Sequence, residues 1–151
     1  QISLNHSKTR GISINTHLGS NFIIGGQISG QDPALMMVYP VGNYIRASEI
    51  KPFFQLGETK YGKPILDRLI RNETSLGDAA RCALVSFDST MKSDLTVGPP
   101  IDLVVYKKDS IQISLEEHLQ FKTPFFSDLS SKWSDGLRNL FKELPKFDWE
   151  K

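Results

Sequence analysis

Asp94 stands in a polar elbow, residues 94–98 (Asp-Leu-Thr-Val-Gly), between a run with helical periodicity and a run that reads as a buried strand. A carboxylate placed where a helix has just ended has two possible uses. It can orient an incoming group, or it can accept hydrogen bonds from local backbone N–H groups, as turn aspartates commonly do. Glu58 and Lys60 follow Gly57 at a loop-to-helix junction, where they either line a cleft or, in the case of Glu58, satisfy the preference for an acid near a helix N-terminus. Ser86, Ser89 and Thr90 lack the Gly-x-Ser-x-Gly surroundings of a hydrolase nucleophile, so surface or capping roles are expected for them. His6, His17 and His118 lie far apart without the cysteine or acidic spacing of a zinc site and are expected to be solvated. The Gly25-Gly26 pair lacks the pattern of a phosphate loop and points to close strand packing. Cys82, between Arg81 and Ala83, reads as a packed helix residue rather than a thiolate. No cofactor or metal is implied.

The frame that must position these residues is one domain's worth of chain. At 151 residues, with 39% apolar and 23% charged side chains, the composition is that of an ordinary globular protein. Eighteen basic against seventeen acidic residues give a net charge of +1, which disfavours nucleic acid and anionic membranes as partners. A single cysteine allows no internal disulfide and makes the cytoplasm the default compartment. No run approaches the roughly 20 apolar residues of a membrane span. The chain starts at Gln1 instead of Met, which either a removed Met or tag or a missing N-terminal part explains.

Three strands joined by short links, at 21–28, 34–39 and 44–47, predict an antiparallel meander, and the continuous apolar run at 34–39 predicts a sheet covered on both faces. Residues 51–57 read as a further extended segment. A helix with Pro64 in its first turn follows, with an apolar stripe of Ile65, Leu66, Leu69 and Ile70 and an outward pair of Asp67 and Arg71. A second helix, capped by Ser75 with Asp78, carries Leu76, Ala79, Ala80, Ala83, Leu84, Phe87 and Met91 at helical spacing. Gly98-Pro99-Pro100 ends helical structure before a hairpin of 101–106 and 111–115. A last amphipathic helix bears a stripe from Phe125 to Phe141, read as core with a subunit interface as the alternative, and stops at Pro145. Strands, two helices, a hairpin and a helix make an α+β domain with helices packed over antiparallel sheet.

The order and spacing of four segments resemble one family. They are residues 22–28 (Phe-Ile-Ile-Gly-Gly-Gln-Ile), 52–68, 83–91 and 97–103 (Val-Gly-Pro-Pro-Ile-Asp-Leu), continued by 133–137 (Trp-Ser-Asp-Gly-Leu). Together they resemble Anbu, the ancestral β-subunit group of bacterial proteasome-related proteins, over nearly all of residues 21–149. More distantly, Gly57 and its helix look like the glycine turn of proteasome β-subunits, and residues 94–98 like their Asp-x-x-Ser-Gly elbow. The resemblance implies an N-terminal-nucleophile hydrolase fold of antiparallel sheets between helical layers (αββα), incomplete in this chain, and assembly into a ring or split-washer homo-oligomer acting on peptides or proteins. It implies a threonine-type peptidase in which the first residue of the mature chain attacks and its own amine takes the hydroxyl proton. Gln1 has no nucleophilic side chain, so the chain is expected to be the C-terminal portion of a subunit, inactive alone, with the nucleophile upstream. Asp94 is then a supporting catalytic residue, and Gly57, Glu58, Val97 and Gly98 are candidates to line the cleft. Val97 and Glu58 stand where proteasomes have serine, which keeps open a second reading as a catalytically silent structural subunit. A small independent binding domain is a third.

Overall fold

The computed structural model describes residues 19–150, so His6 and His17 lie outside the described residues. The expected meander is present as β1 (Phe22–Gly26), β2 (Ala34–Val38) and β3 (Tyr44–Arg46), all antiparallel in the order β1-β2-β3. Its register aligns Ile23, Met37 and Ile45 across the sheet, and Phe22, Val38 and Tyr44 beside them. Because side chains alternate, these two rows lie on opposite faces. The expectation of a sheet covered on both faces is met only in part. All five β2 residues are half-buried, while Phe22, Ile24 and Tyr44 are each half-exposed or more. Gly25 does answer to close packing, since a Cβ there would meet Leu35 Cδ1 at 3.2 Å, but Gly26 has open space around it.

Residues 51–56 run on without joining a sheet, and the chain then turns into α1 (Lys63–Leu69). Pro64 occupies the first turn, where its missing N–H leaves no gap in the helix. Leu66 and Ile70 are buried against Cys82, with Phe53, Ile65 and Ala79 packed around them. Leu69, expected in the same stripe, is half-exposed, because this short helix meets its neighbour along one narrow face. The Asp67–Arg71 ion pair does not form. Asp67 instead binds Lys63 Nζ at 2.6 Å, and Arg71 Nη1 donates to the main-chain oxygens of Asp67 and Ile70. Arg71 follows the last helical turn, where carbonyls lack helical partners and offer better acceptors.

The second helix, α2 (Leu76–Met91), starts as its cap predicts, with Asp78 N donating to Ser75 Oγ at 3.1 Å. The Ser75 hydroxyl and then Arg81 hold the Asp78 carboxyl below the usual range. The buried face differs from the expected one. Cys82, Leu84, Val85, Ser86, Asp88, Thr90 and Met91 are buried, while Leu76 and Phe87 are about half-exposed. The cause is position in the layer: α2 touches α1 on one flank and both α3 and β4 on the other. A helix enclosed from two sides buries polar positions too, and these must find partners. Thr90 Oγ1 donates to Ser86 O at 2.8 Å, and Asp88 accepts from Ser130 Oγ at 2.5 Å and Lys92 Nζ at 2.7 Å. The surface or capping roles expected of Ser86 and Thr90 are therefore corrected to buried ones.

The hairpin comprises β4 (Ile101–Tyr106) and β5 (Ile113–Leu119), so its second strand starts later and runs further than expected. Asp109 and Ile111 take left-handed backbone conformations, φ 66° and 49°, which keep the chain turning through residue 111. A register shift at Val105–Tyr106 absorbs the difference. The two sheets are tied at their ends by Gln27, whose Oε1 accepts from Tyr106 Oη and Asp109 N while its Nε2 donates to Asp109 Oδ1.

The last helix, α3 (Pro124–Glu143), docks mainly through Phe126, which joins Leu84, Met91, Ile101 and Leu119 in the larger apolar cluster. Its stripe was read as core, with a subunit interface as the alternative, and the structure divides it. Only Phe126 is fully buried, Leu129 and Trp133 are half-buried, and Leu137, Leu140 and Phe141 are exposed. Twenty residues of helix extend about 30 Å, further than the layer beneath. The last side-chain tie to α2 is the hydrogen bond from Lys92 Nζ to Ser134 Oγ.

Candidate functional site

Two loops, one entering α1 and one leaving α2, carry the sequence-predicted residues and bring three of them, Gly57, Glu58 and Val97, to one cleft. Gly57 supplies the first turn with φ +82°, a conformation that glycine adopts without a Cβ clash. Glu58 follows, accepting a hydrogen bond from Lys60 N at 3.2 Å and placing its other oxygen 3.6 Å from Lys60 Nζ. The second loop begins where α2 runs out, with Asp94 N donating to Thr90 O at 2.8 Å. Asp94 Oδ1 then accepts from both Thr96 N, at 2.8 Å, and Thr96 Oγ1, at 2.7 Å. The Thr96 hydroxyl, its main-chain N–H and the nearby Lys60 cation together hold the Asp94 carboxyl below its usual range, with partial desolvation opposing them.

A cleft of about 480 Å³ lies behind the loops, between Ile23 of β1, Phe54, Leu66 of α1 and Phe87 of α2. Gly57, Glu58 and Val97, three of the residues singled out from sequence, line it together. Asp94 does not line it but is bonded through its main chain to Thr90 and Val97, which do, and Gly98 is exposed outside. Val97 turns its side chain toward the larger apolar cluster. Two members were not singled out from sequence. Gln55 reaches the cleft with its Oε1 buried and without a hydrogen-bond partner among the described residues. Thr96 carries the clamp on Asp94, and the Asp-x-Thr spacing was the signal available for it.

Chemically, the site offers an ionised carboxylate with one oxygen, Oδ2, that accepts no hydrogen bond among the described residues, next to a lysine–glutamate pair. Ser86 and Thr90 face the cleft, but both are buried, the Thr90 proton is committed to Ser86 O, and neither is bonded to an imidazole or carboxylate. They do not form an activated nucleophile. His118 lies on β5 and is exposed, as expected of a solvated histidine, and its Nδ1 also pairs with Asp102 Oδ1 across the hairpin at 2.6 Å. Among the described residues no three His, Cys, Asp or Glu side chains are grouped as metal ligands. Cys82 is buried, and burial pushes its thiol pKa up, away from thiolate chemistry.

No family model and no curated protein matches the chain. Solved structures do. Anbu from Hyphomicrobium sp. strain MC1 is 51% identical with a TM-score of 0.82, over 85% of this chain and 55% of that one. Anbu from Yersinia bercovieri is 41% identical with a TM-score of 0.82 over the same shares. An Anbu complex from Pseudomonas aeruginosa, described as a helical assembly, is 48% identical with a TM-score of 0.83, over 88% of this chain and 55% of that one. The chain therefore spans little more than half the length of these relatives. Identity at this level along most of the chain, on the same arrangement of helices and antiparallel sheets, places it: the chain belongs to the Anbu (ancestral β-subunit) family of proteasome-related proteins.

Proposed function

We propose that this chain is the C-terminal portion of a proteasome-like, threonine-type peptidase or amide hydrolase subunit, cytoplasmic and self-compartmentalising, whose N-terminal nucleophile lies upstream in the complete subunit. The observation that carries the reading is Asp94: an ionised carboxylate on a loop whose main chain is bonded to the cleft residues Thr90 and Val97, one oxygen clamped and the other unmet, with no activated hydroxyl near it among the described residues. Such a group serves a nucleophile that arrives from elsewhere. In the complete site the first residue's hydroxyl attacks the peptide carbonyl and its proton passes to the α-amine. The acyl–oxygen bond forms, the α-ammonium passes that proton to the peptide nitrogen as the C–N bond breaks and the amine departs, and water then releases the acyl group as a carboxylic acid. Asp94 Oδ2 accepts an N–H from that amine and favours the ammonium formed during attack. Gly57, Glu58 and Val97 bound the same space.

An electrophilic peptide probe should label the first residue of the mature complete subunit, and mass spectrometry of the N-terminal peptide reads the adduct. A Thr, Ser or Cys at that position with stoichiometric labelling supports the reading; any residue without a nucleophilic side chain there ends it. A specific observation favours a second reading, that of a catalytically silent structural subunit. Val97 offers no hydroxyl to the elbow, and Glu58 is occupied by Lys60.

Self-association belongs to both readings. Leu137, Leu140, Phe141 and Leu144 form an exposed apolar row on the free end of α3, and a second copy of the subunit is the occupant favoured by the helical assembly of the related Pseudomonas aeruginosa complex. The complete subunit should run in light scattering as a species of several subunit masses, and Leu140→Asp with Phe141→Asp should reduce that mass. A monomeric wild type would remove both the row and the assembly from the account. Peptide or protein is the substrate class, without nucleic acid or membrane as partner. Among the described residues no helix is long and apolar enough to cross a membrane.

A further inference from the structure

We infer that Thr96 is the positioning residue of the elbow, clamping one oxygen of Asp94 with two donors so that the other oxygen is aimed at the amine it serves. The proposal rests on the nucleophile reading above and assigns a role to a residue outside the cleft candidates. Both donors fall on Oδ1: the Thr96 main-chain N–H at 2.8 Å and its hydroxyl at 2.7 Å. A carboxylate held by one bond still swings about its terminal torsion, which is broad and two-fold. Two donors from one residue remove that freedom.

Among the described residues nothing else nearby holds that oxygen. Val97 turns hydrocarbon toward the apolar cluster, Leu95 is fully exposed, and the Lys60 ammonium is bonded toward Glu58 and reaches Asp94 only through space. The elbow therefore needs no hydroxyl at position 97, because the residue before it supplies one. The backbone bond survives any substitution at 96, whereas the hydroxyl bond does not, and this makes the residue separable by mutation. Valine keeps the shape and removes the hydroxyl; serine keeps the hydroxyl and removes a methyl.

The experiment uses the complete assembled subunit and follows the rate of covalent labelling by the peptide electrophile from about pH 4 to 9. Thr96→Val should label about tenfold more slowly, the scale of one hydrogen bond to a charged group. Its acid limb should also move to higher pH. A donor to the ionised form lowers a carboxyl pKa, so losing it lets Asp94 take up a proton sooner as pH falls, and a protonated Asp94 no longer serves the amine. Thr96→Ser should restore both rate and limb, and Asp94→Asn should label slowly at every pH. If Asp94→Asn is impaired while Thr96→Val keeps the wild-type rate and limb, the Thr96 clamp is refuted and the nucleophile reading stands. If the wild type itself is not labelled, the nucleophile reading fails and the positioning role falls with it.

Discussion

Phe126→Ala should lower the unfolding free energy by about 3–5 kcal/mol, the range for truncating a fully buried aromatic residue. Phe126 is 2% exposed and is the sole buried residue of α3. It meets Leu84 and Met91 from α2, Ile101 from β4 and Leu119 from β5, so one side chain joins four elements. The loss combines the transfer free energy of the ring with the cost of a cavity that a helix, a hairpin and a second helix cannot all close at once. It also loosens the polar ties that α3 makes to α2, because Ser130 and Ser134 reach Asp88 and Lys92 only while the helix is docked. Against a total stability of about 5–15 kcal/mol, this is a large fraction. Phe125→Ala is the control. Its ring is 54% exposed on the same turn, and its loss should cost about 1 kcal/mol or less. Urea denaturation at one fixed protein concentration measures both, since assembly shifts apparent stability. Equal midpoint shifts for the two variants would contradict the packing described.

The contrast between Phe125 and Phe126 marks where the sequence stops being informative. Periodicity placed α3 and its stripe correctly, because a row of apolar residues at helical spacing depends only on the chain. Which part of that row is covered depends on how far the neighbouring elements extend, and Leu137, Leu140 and Phe141 look the same in sequence whether or not something lies beneath them. The cap of α2 was legible because Ser75 and Asp78 are three residues apart and the interaction is local. Ser86 and Thr90 were misread for the opposite reason. Their burial comes from α1 approaching a face that the apolar pattern of α2 leaves polar. At the elbow, the neighbourhood of some residues was legible in the sequence and their bonds were not. Residues 57, 58 and 97 converge on one cleft, while the sequence did not reveal that Asp94 would be clamped by Thr96 or that Gln55, which lines the same cleft, would bury an oxygen without a partner among the described residues.

Gly62→Ala is the second large effect, and it tests the approach of α1 to α2 directly. Gly62 caps α1 with φ −91° and ψ −35°, a conformation open to any residue, so its absence of side chain serves contact rather than backbone geometry. A Cβ there would overlap Ser86 Oγ and sit 2.8 Å from Ser86 O and 2.9 Å from Thr90 Oγ1. Rotation of the Ser86 hydroxyl relieves the first contact alone. The second is to a helix carbonyl, and the third is to a hydroxyl held by its own hydrogen bond to that carbonyl. The helices must therefore part, at a cost of about 2–3 kcal/mol, toward the upper end for an overpacked site. Ser86→Ala added to Gly62→Ala should recover some of this loss but not all, giving a coupling energy that non-contacting residues do not show. Separation of the helices also carries consequences for the site, because residues 57–60 lead into α1 and Asp94 leaves α2. The substitution should move Glu58 and Lys60 away from Asp94 and slow labelling of the complete subunit under conditions where it remains folded. A Gly62→Ala protein with wild-type stability would mean that the two helices, and the two loops they carry, do not meet as closely as this packing requires.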